Sequence, residues 1–146
     1  MLSLLKRLLA ERPEPLDPDD ARLALSALMV RIARADEHYD AVEAATITRI
    51  LMERYNLSHD AAEDLCAQAQ ALEENAPDTV RFTRAIKDVV PYEARQEVVE
   101  ALWEVVLADD TRAPEEDRLM RLVVNLLGIN DRDSALARQR VQKRRG

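Results

Sequence analysis

Apolar residues recur every three or four positions along almost the whole chain, in runs separated by short breaks that contain prolines and acids. This spacing places the apolar residues on one face of a helix, whereas a strand would show alternation. Only two glycines occur, and the turn residues that strands need at short intervals are missing. The pattern predicts an all-α, single-domain bundle of about seven to eight helices.

Prolines and capping residues mark the predicted helix boundaries. Ser58 is expected to cap the fourth helix, and Asn130 to open the eighth. Pro91 and Pro114 are expected to be the first residues of the sixth and seventh helices, where a missing N–H costs nothing.

The chain also contains an internal repeat. A shift of 73 residues places Ala35-Asp36 on Ala108-Asp109 and Glu43 on Glu116, and a shift of 72 places Tyr55-Asn56-Leu57-Ser58 on Leu127-Gly128-Ile129-Asn130. Asn and Gly readily adopt the left-handed conformation that ends a helix, so Asn56 and Gly128 are predicted helix stops. We interpret the chain as two modules of helix, acidic loop, helix, turn and helix.

These features divide the chain into three parts. Residues 1–16 are predicted to form an amphipathic helix and a proline-rich connector. The helical domain is predicted over residues 17–141, with one repeat at about 20–74 and the other at about 91–141. Residues 142–146 are expected to be a basic tail.

Two acidic segments, ARADEHYDAVEAA (33–45) and LADDTRAPEED (107–117), carry the candidate chemistry. Asp40 and Glu43 fit a capping box at a helix start. The remaining acids are harder to explain, because an acid at the carboxyl end of a helix opposes its dipole by roughly 0.3–1 kcal/mol. These residues are Asp36, Glu37, Asp109 and Asp110.

Three explanations for these carboxylates stay open. Arg31, Arg34 and Arg112 could pair with them, water could solvate them, or a hard cation such as calcium or magnesium could bind there. The spacing is not that of an EF-hand, and no glycine lies in either loop. The candidate metal ligands are Asp36, Glu37, Asp40, Glu43, Asp109, Asp110 and Glu116.

The other reactive side chains point to structure rather than catalysis. Cys66 is expected to be a small buried side chain. Trp103 is expected to anchor the core. His38 lies within the acidic loop, as a solvated residue or a ligand, and His59 is expected in an exposed first turn. No phosphate-binding loop or nucleophile–base pair occurs, so we expect no enzyme.

Charge is unevenly distributed along the chain. The net charge is −7, but the segment from Arg132 onward has six basic residues and one acid. An acidic body disfavours binding to nucleic acid. The basic end is expected to be a frayed helix end in water, with contact to an anionic partner as the alternative.

No apolar run approaches the roughly 20 residues of a membrane span, and no signal peptide is evident. We therefore expect a cytoplasmic protein. Leu2, Leu5, Leu8 and Leu9 form an apolar stripe within residues 1–12. This stripe could dock on the domain, pair with a second subunit or another protein, or lie on a membrane surface.

Three stretches taken together resemble the tellurite-resistance TerB family: RIARADEHYDAVEAATITRIL, RFTRAIKD and EALWEVVLADDTRAPEEDRLMRLVVNLLGINDRD. The resemblance extends from about Leu23 to Arg140. It implies an all-α, duplicated fold and a non-catalytic role in metal or stress response, through acidic loops that bind divalent metal and through protein partners.

The family loop usually reads Ala-Asp-Gly, then an acid before the helix and a Glu in its first turn. Of this pattern the first loop keeps Asp36, Asp40 and Glu43, and the second keeps Asp109 and Glu116. Glu37 and Asp110 replace the two glycines, and Ala113 replaces the second helix-start acid.

Overall fold

Helices make up almost all of the chain that this computed structural model describes, which is residues 18–35, 39, 41–75, 79–108 and 114–145. No strand occurs in these ranges. The all-α prediction is therefore confirmed. The helices are α1 (Pro18–Ala33), α2 (Ala41–Tyr55), α3 (His59–Asn75), α4 (Thr79–Val89), α5 (Tyr92–Ala108), α6 (Pro114–Leu126) and α7 (Asp131–Arg145).

The first described helix, α1, is the centre of the bundle. Its large side chains are almost completely buried, with at most 1% of each exposed: Leu25, Leu28, Met29, Val30 and Ile32. A helix that is apolar around its whole circumference belongs in a core. Both α3 and α4 pack along α1, and α2, α5 and α6 also contact it.

Trp103 on α5 joins that helix to α7. Its ring is buried, and the indole Nε1–H donates to the hydroxyl of Ser134 at 3.1 Å. The guanidinium of Arg138 lies over the ring, 5.3 Å from its centroid. Trp103 is thus a core anchor, as predicted, because a buried indole needs a partner for its N–H.

Two helices begin at the polar caps that the sequence predicts. The Ser58 hydroxyl accepts the N–H of Ala61 at 3.2 Å, at the start of α3. The Asn130 side chain accepts the N–H of Asp133 at 2.7 Å, at the start of α7. Each cap satisfies one backbone donor that lacks a partner within its helix.

Prolines open two further helices. Pro114 is the first residue of α6, as predicted. Pro91 lies one residue before α5, which begins at Tyr92. Its carbonyl accepts the N–H groups of Ala94 and Arg95, so Pro91 stands at the capping position instead of the first helical one.

The two predicted helix stops share one geometry. Asn56 has a φ of 52° and Gly128 has a φ of 78°, both in the left-handed region. The apolar residue that follows, Leu57 or Ile129, donates its N–H to the carbonyl five residues earlier, at 3.1 Å in both cases. This is the Schellman arrangement. The repetition of whole modules stays a prediction.

The carboxyl-terminal helix differs from the expected frayed end. Helix α7 continues to Arg145, and Val141 is buried within it. Ion pairs to α5, described below, hold this basic helix against the domain. The predicted helix of residues 1–12 lies outside the described residues.

Candidate functional site

Only part of the predicted acidic site falls within the described structure. Glu43 and Glu116 are described, each as the third residue of its helix. The other five candidate ligands, Asp36, Glu37, Asp40, Asp109 and Asp110, lie outside the described residues, as do His38, Arg112 and Ala113.

The two described carboxylates differ in burial. Glu116 on α6 has only 2% of its surface exposed, whereas Glu43 on α2 is partly buried. Removing a carboxylate from water is unfavourable by several kcal/mol unless hydrogen bonds or a positive charge compensate. Both lie in the first turn of a helix, where the helix dipole favours an acid. Glu116 is therefore the more demanding of the two positions.

Tyr39 fastens the first acidic segment to α3. Its phenol oxygen accepts a hydrogen bond from Nε2 of Gln70 at 2.7 Å, and lies 3.8 Å from Sγ of Cys66. Burial raises the pKa of Tyr39 to about 12, the hydrogen bond from Gln70 opposes this rise, and the neighbouring Cys66 and Glu43 add to it. The phenol is therefore neutral near pH 7, and Glu43 lies within electrostatic reach of it.

The arginines at the end of α1 have well-defined partners on α3. Arg31 Nε lies 3.5 Å from Glu73 Oε1, and Arg34 Nη1 lies 3.1 Å from Glu73 Oε2. Arg31 also donates to the carbonyl of Glu73 and to the hydroxyl of Thr79. A second acid, Glu74, lies 3.5 Å from Arg34.

Sequence reasoning considered these arginines only as partners for nearby Asp36 and Glu37. The described structure pairs them with acids about 40 residues away, which no local pattern reveals. A signal for this pairing does exist, because α3 ends on two acids with no basic residue in its last turn. Acids at that pole of a helix call for outside compensation.

A shallow groove lies between α2 and α3, next to Tyr39 and Cys66. Its volume is about 340 Å³, and four alanines line much of it: Ala41, Ala44, Ala45 and Ala67. Cys66 is buried, as predicted, and lines the groove together with Gln70. Small side chains on both helices leave this space open.

A charged cleft of about 550 Å³ is formed by α2, α5 and α7. Glu100 on α5 pairs with Arg140 at 3.2 Å and with Arg144 at 2.8 Å. Glu104 pairs with Arg144 at 3.4 Å. Burial raises the pKa of Glu104 above its ordinary value of 4.5, although the arginines Arg144 and Arg49 act in the opposite direction. Desolvation therefore outweighs ion pairing at Glu104.

The described ranges contain no group of three or more His, Cys, Asp and Glu side chains arranged to hold a metal ion. His59 is exposed in the first turn of α3, as predicted, 3.7 Å from Glu63 and 3.9 Å from Asp60. None of the described helices is long and apolar enough to cross a membrane.

Comparison with protein families gives one clear match. The family model described as tellurite resistance protein TerB matches residues 22–139. The match begins within α1 and ends within α7, so it spans both acidic segments and both helix stops. No curated protein and no solved structure matches the chain.

Proposed function

The chain belongs to the tellurite-resistance TerB family, and from this premise we propose that it is a non-catalytic module that couples weak divalent-cation binding to protein partner binding in metal or tellurite stress. The cation would be calcium or magnesium, held by the acidic segments between helices. Carboxylates and backbone carbonyls at a helix end are the ligands that such hard cations prefer.

The burial of Glu116 carries this proposal. Its carboxylate is 2% exposed and lies in the first turn of α6, just after the segment that contains Asp109 and Asp110. A cation held by those acids would offset the unfavourable burial of Glu116. Glu43 occupies the matching position after the first acidic segment.

Metal titration tests the cation half of the proposal. The protein is stripped with a chelator, and calcium, magnesium, manganese and zinc are then added separately while the melting temperature and the heat of binding are measured. A metal at a hundred times its dissociation constant should stabilise the fold by about 2.7 kcal/mol. Neither a melting shift nor binding heat with any of the four metals would refute metal binding.

Matched variants locate the site. Glu116→Gln keeps the shape of the side chain and removes its charge, so it should abolish most of the metal-induced shift. Glu115→Gln is the control, because Glu115 is exposed in the same helix turn. Asp36→Asn and Asp109→Asn then show which segment binds. Equal shifts in Glu116→Gln and Glu115→Gln would separate the metal from this carboxylate.

A metal-free interaction scaffold is the second candidate, and the groove between α2 and α3 favours it. The groove is lined by small side chains, and Val42, next to Ala41 in the same helix turn, is 73% exposed. An apolar residue this exposed beside an open groove is typical of a contact surface.

The two candidates predict different outcomes for the same protein. In the scaffold, Asp36→Asn and Asp109→Asn leave stability and partner binding unchanged, and deletion of residues 1–12 changes the oligomeric state. In the metal-coupled module, the two substitutions remove the metal-induced shift. Oligomeric state is measured by light scattering after size-exclusion chromatography, with and without the metal that binds best.

A further inference from the structure

Helices α4 and α6 present five exposed basic side chains, which we call the basic face: Arg81, Arg84, Lys87, Arg118 and Arg121. The two helices pack against each other, so their solvent sides adjoin. Two exposed acids, Asp88 and Glu115, reduce the charge of this surface but leave it positive. Two aliphatic side chains also emerge on these helices, Val80 at 36% and Leu122 at 48% exposure.

The basic face differs from other arginine clusters of the molecule. Arg31, Arg34, Arg140 and Arg144 each form ion pairs with glutamates of another helix. In the described part of the chain, none of the five side chains of the basic face has an ion-pair partner. In a chain of net charge −7, these cations are thus available to an external anion.

Helix α3 carries a surface of opposite charge. It has no lysine or arginine in 17 residues. Three of its acids are exposed, and we call them the acidic face: Asp60, Glu63 and Asp64. Within the described structure, their polar neighbours are His59 and Gln68, neither of which is a lysine or arginine. Exposed alanines between these acids, Ala61 and Ala67, allow another surface to approach closely.

The two faces lie on different helices, both of which pack along α1. Phosphate backbones are poor candidates for the basic face, because the rest of the chain repels them and no aromatic side chain is exposed on α4 or α6 for stacking. An acidic protein surface complements both its charge and its partly apolar character. The chain itself contains such a surface on α3.

We propose that the basic face of one copy binds the acidic face of a second copy, in a head-to-tail contact. The interface is heterologous, because each copy uses two different surfaces, and further copies can therefore add in the same way. Exposed charge pairs bind weakly and are screened by salt. The association is therefore expected at protein concentrations on the order of 100 µM and at low ionic strength.

Sedimentation velocity on the full chain tests the proposal. In 50 mM NaCl the weight-average mass should rise with protein concentration, and in 500 mM NaCl the association should weaken about tenfold. A protein that stays monomeric at both salt concentrations overturns the proposal. Deletion of residues 1–12 should leave the salt-dependent association intact. Its loss in that variant would assign the contact to the amino-terminal segment and also overturn the proposal.

Two charge-reversed variants test which faces meet. The basic-face variant combines Arg84→Glu with Arg121→Glu, and the acidic-face variant combines Glu63→Lys with Asp64→Lys. Each alone should be monomeric. A mixture should form a complex of one copy of each, because the first variant keeps an intact acidic face and the second keeps an intact basic face.

The matched control is Arg132→Glu with Lys143→Glu, which changes the net charge as much as the basic-face variant does, at exposed positions of α7. It should associate like the wild type. Failure of the two face variants to combine, or equal loss in the control, overturns the proposal. Binding of the basic face to a 24-base-pair DNA duplex or to vesicles with 30% phosphatidylserine, without self-association, would assign it to that anion instead.

Discussion

Arg31 of α1 pairs with Glu73 near the end of α3, whereas Glu104 of α5 pairs with Arg144 near the end of α7. Arg31 and Glu104 are related by the 73-residue shift of the sequence repeat. Arg144 is one residue short of the position that matches Glu73. Corresponding helix pairs in the two halves are thus joined by ion pairs of opposite polarity.

The reversed polarity changes the energetics of the contact. Glu73 lies at the carboxyl end of α3, where the helix dipole opposes an acid, and Arg144 lies at the carboxyl end of α7, where the dipole favours a base. Arg31 therefore compensates a charge that the helix itself disfavours. Glu104 does not, and its raised pKa shows that burial outweighs its attraction to Arg144. Similar contacts in two related places need not stabilise the fold equally.

A second pair of contacts follows the same spacing without changing sign. Arg22 on α1 lies 4.6 Å from the ring centroid of Tyr55, at the first helix stop. Arg95 on α5 donates to the carbonyl of Leu127 at 3.3 Å, at the second. Arg22 and Arg95 are also related by the 73-residue shift. An arginine thus covers each stop, and this agreement favours the interpretation that the two halves are repeats.

The largest effect is expected from Arg31→Met, which keeps much of the apolar stem and removes the charge. It should lower the free energy of unfolding by about 1–3 kcal/mol, because the half-buried Glu73 loses its partner at an unfavourable pole. Urea denaturation measures the change. Arg49→Met is the control, since its exposed pair with Glu53 should matter by less than about 0.5 kcal/mol. Equal losses in the two variants would contradict this interpretation.

The helix stops come next. Gly128→Ala should lower the free energy of unfolding by about 1–2 kcal/mol, because alanine is strained at a φ of 78°. The added Cβ would meet only Arg95 Nη1 at 3.5 Å, an ordinary contact, so the strain lies in the backbone. Asn56→Ala should be less harmful, and Asn56→Gly neutral or slightly stabilising. Denaturation curves for the three variants would contradict the equivalence of the stops if Asn56→Gly were clearly destabilising.

Much of the fold follows from local sequence rules. The caps at Ser58 and Asn130, the proline at the start of α6 and the two helix stops depend on a few neighbouring residues, and all lie where they were predicted. The single difference at Pro91 is one residue. Such features are predictable because the backbone conformation they need is determined within about one helix turn.

Tertiary partners were not predictable in this way. Arg31 and Arg34 were weighed against neighbouring acids, yet their described partners are 39 to 42 residues away. Charge density alone predicted a frayed carboxyl-terminal helix, but Val141 and the pairs to Glu100 and Glu104 hold α7 in place. A one-dimensional pattern shows which charges need compensation, not which distant helix supplies it.

Tyr39 provides a smaller test of the asymmetry, because the 73-residue shift places Arg112, not a phenol, at the matching position of the second half. Tyr39→Phe should lower the free energy of unfolding by about 1 kcal/mol near pH 7, through loss of the hydrogen bond from Gln70. Denaturation curves for the variant and the wild type measure this loss.

The same substitution should change the alkaline pH dependence. A folded-state pKa of about 12 means that the Tyr39 contribution is complete below pH 10 and is lost as the pH rises from 10 to about 12. Tyr39→Phe should lack this part of the loss when unfolding is followed through that range. Tyr92→Phe, which changes an exposed phenol bonded to Asp133, should retain it. Identical alkaline profiles for the two variants would argue against a buried phenol at Tyr39.

The smallest effect is expected from Glu104→Gln, the counterpart of the Arg31 substitution in the second half. Its raised pKa means that the contribution of Glu104 is greatest at acidic pH and declines as the pH rises from 4.5 to the higher folded-state value. By pH 7 the carboxylate therefore contributes little, and the variant should unfold within about 0.5 kcal/mol of the wild type. It should also lack this decline when stability is measured between pH 4 and 7, whereas the exposed-site control Glu97→Gln should retain it. A loss at pH 7 as large as that in Arg31→Met would mean that polarity against the helix dipole does not distinguish the two ion pairs.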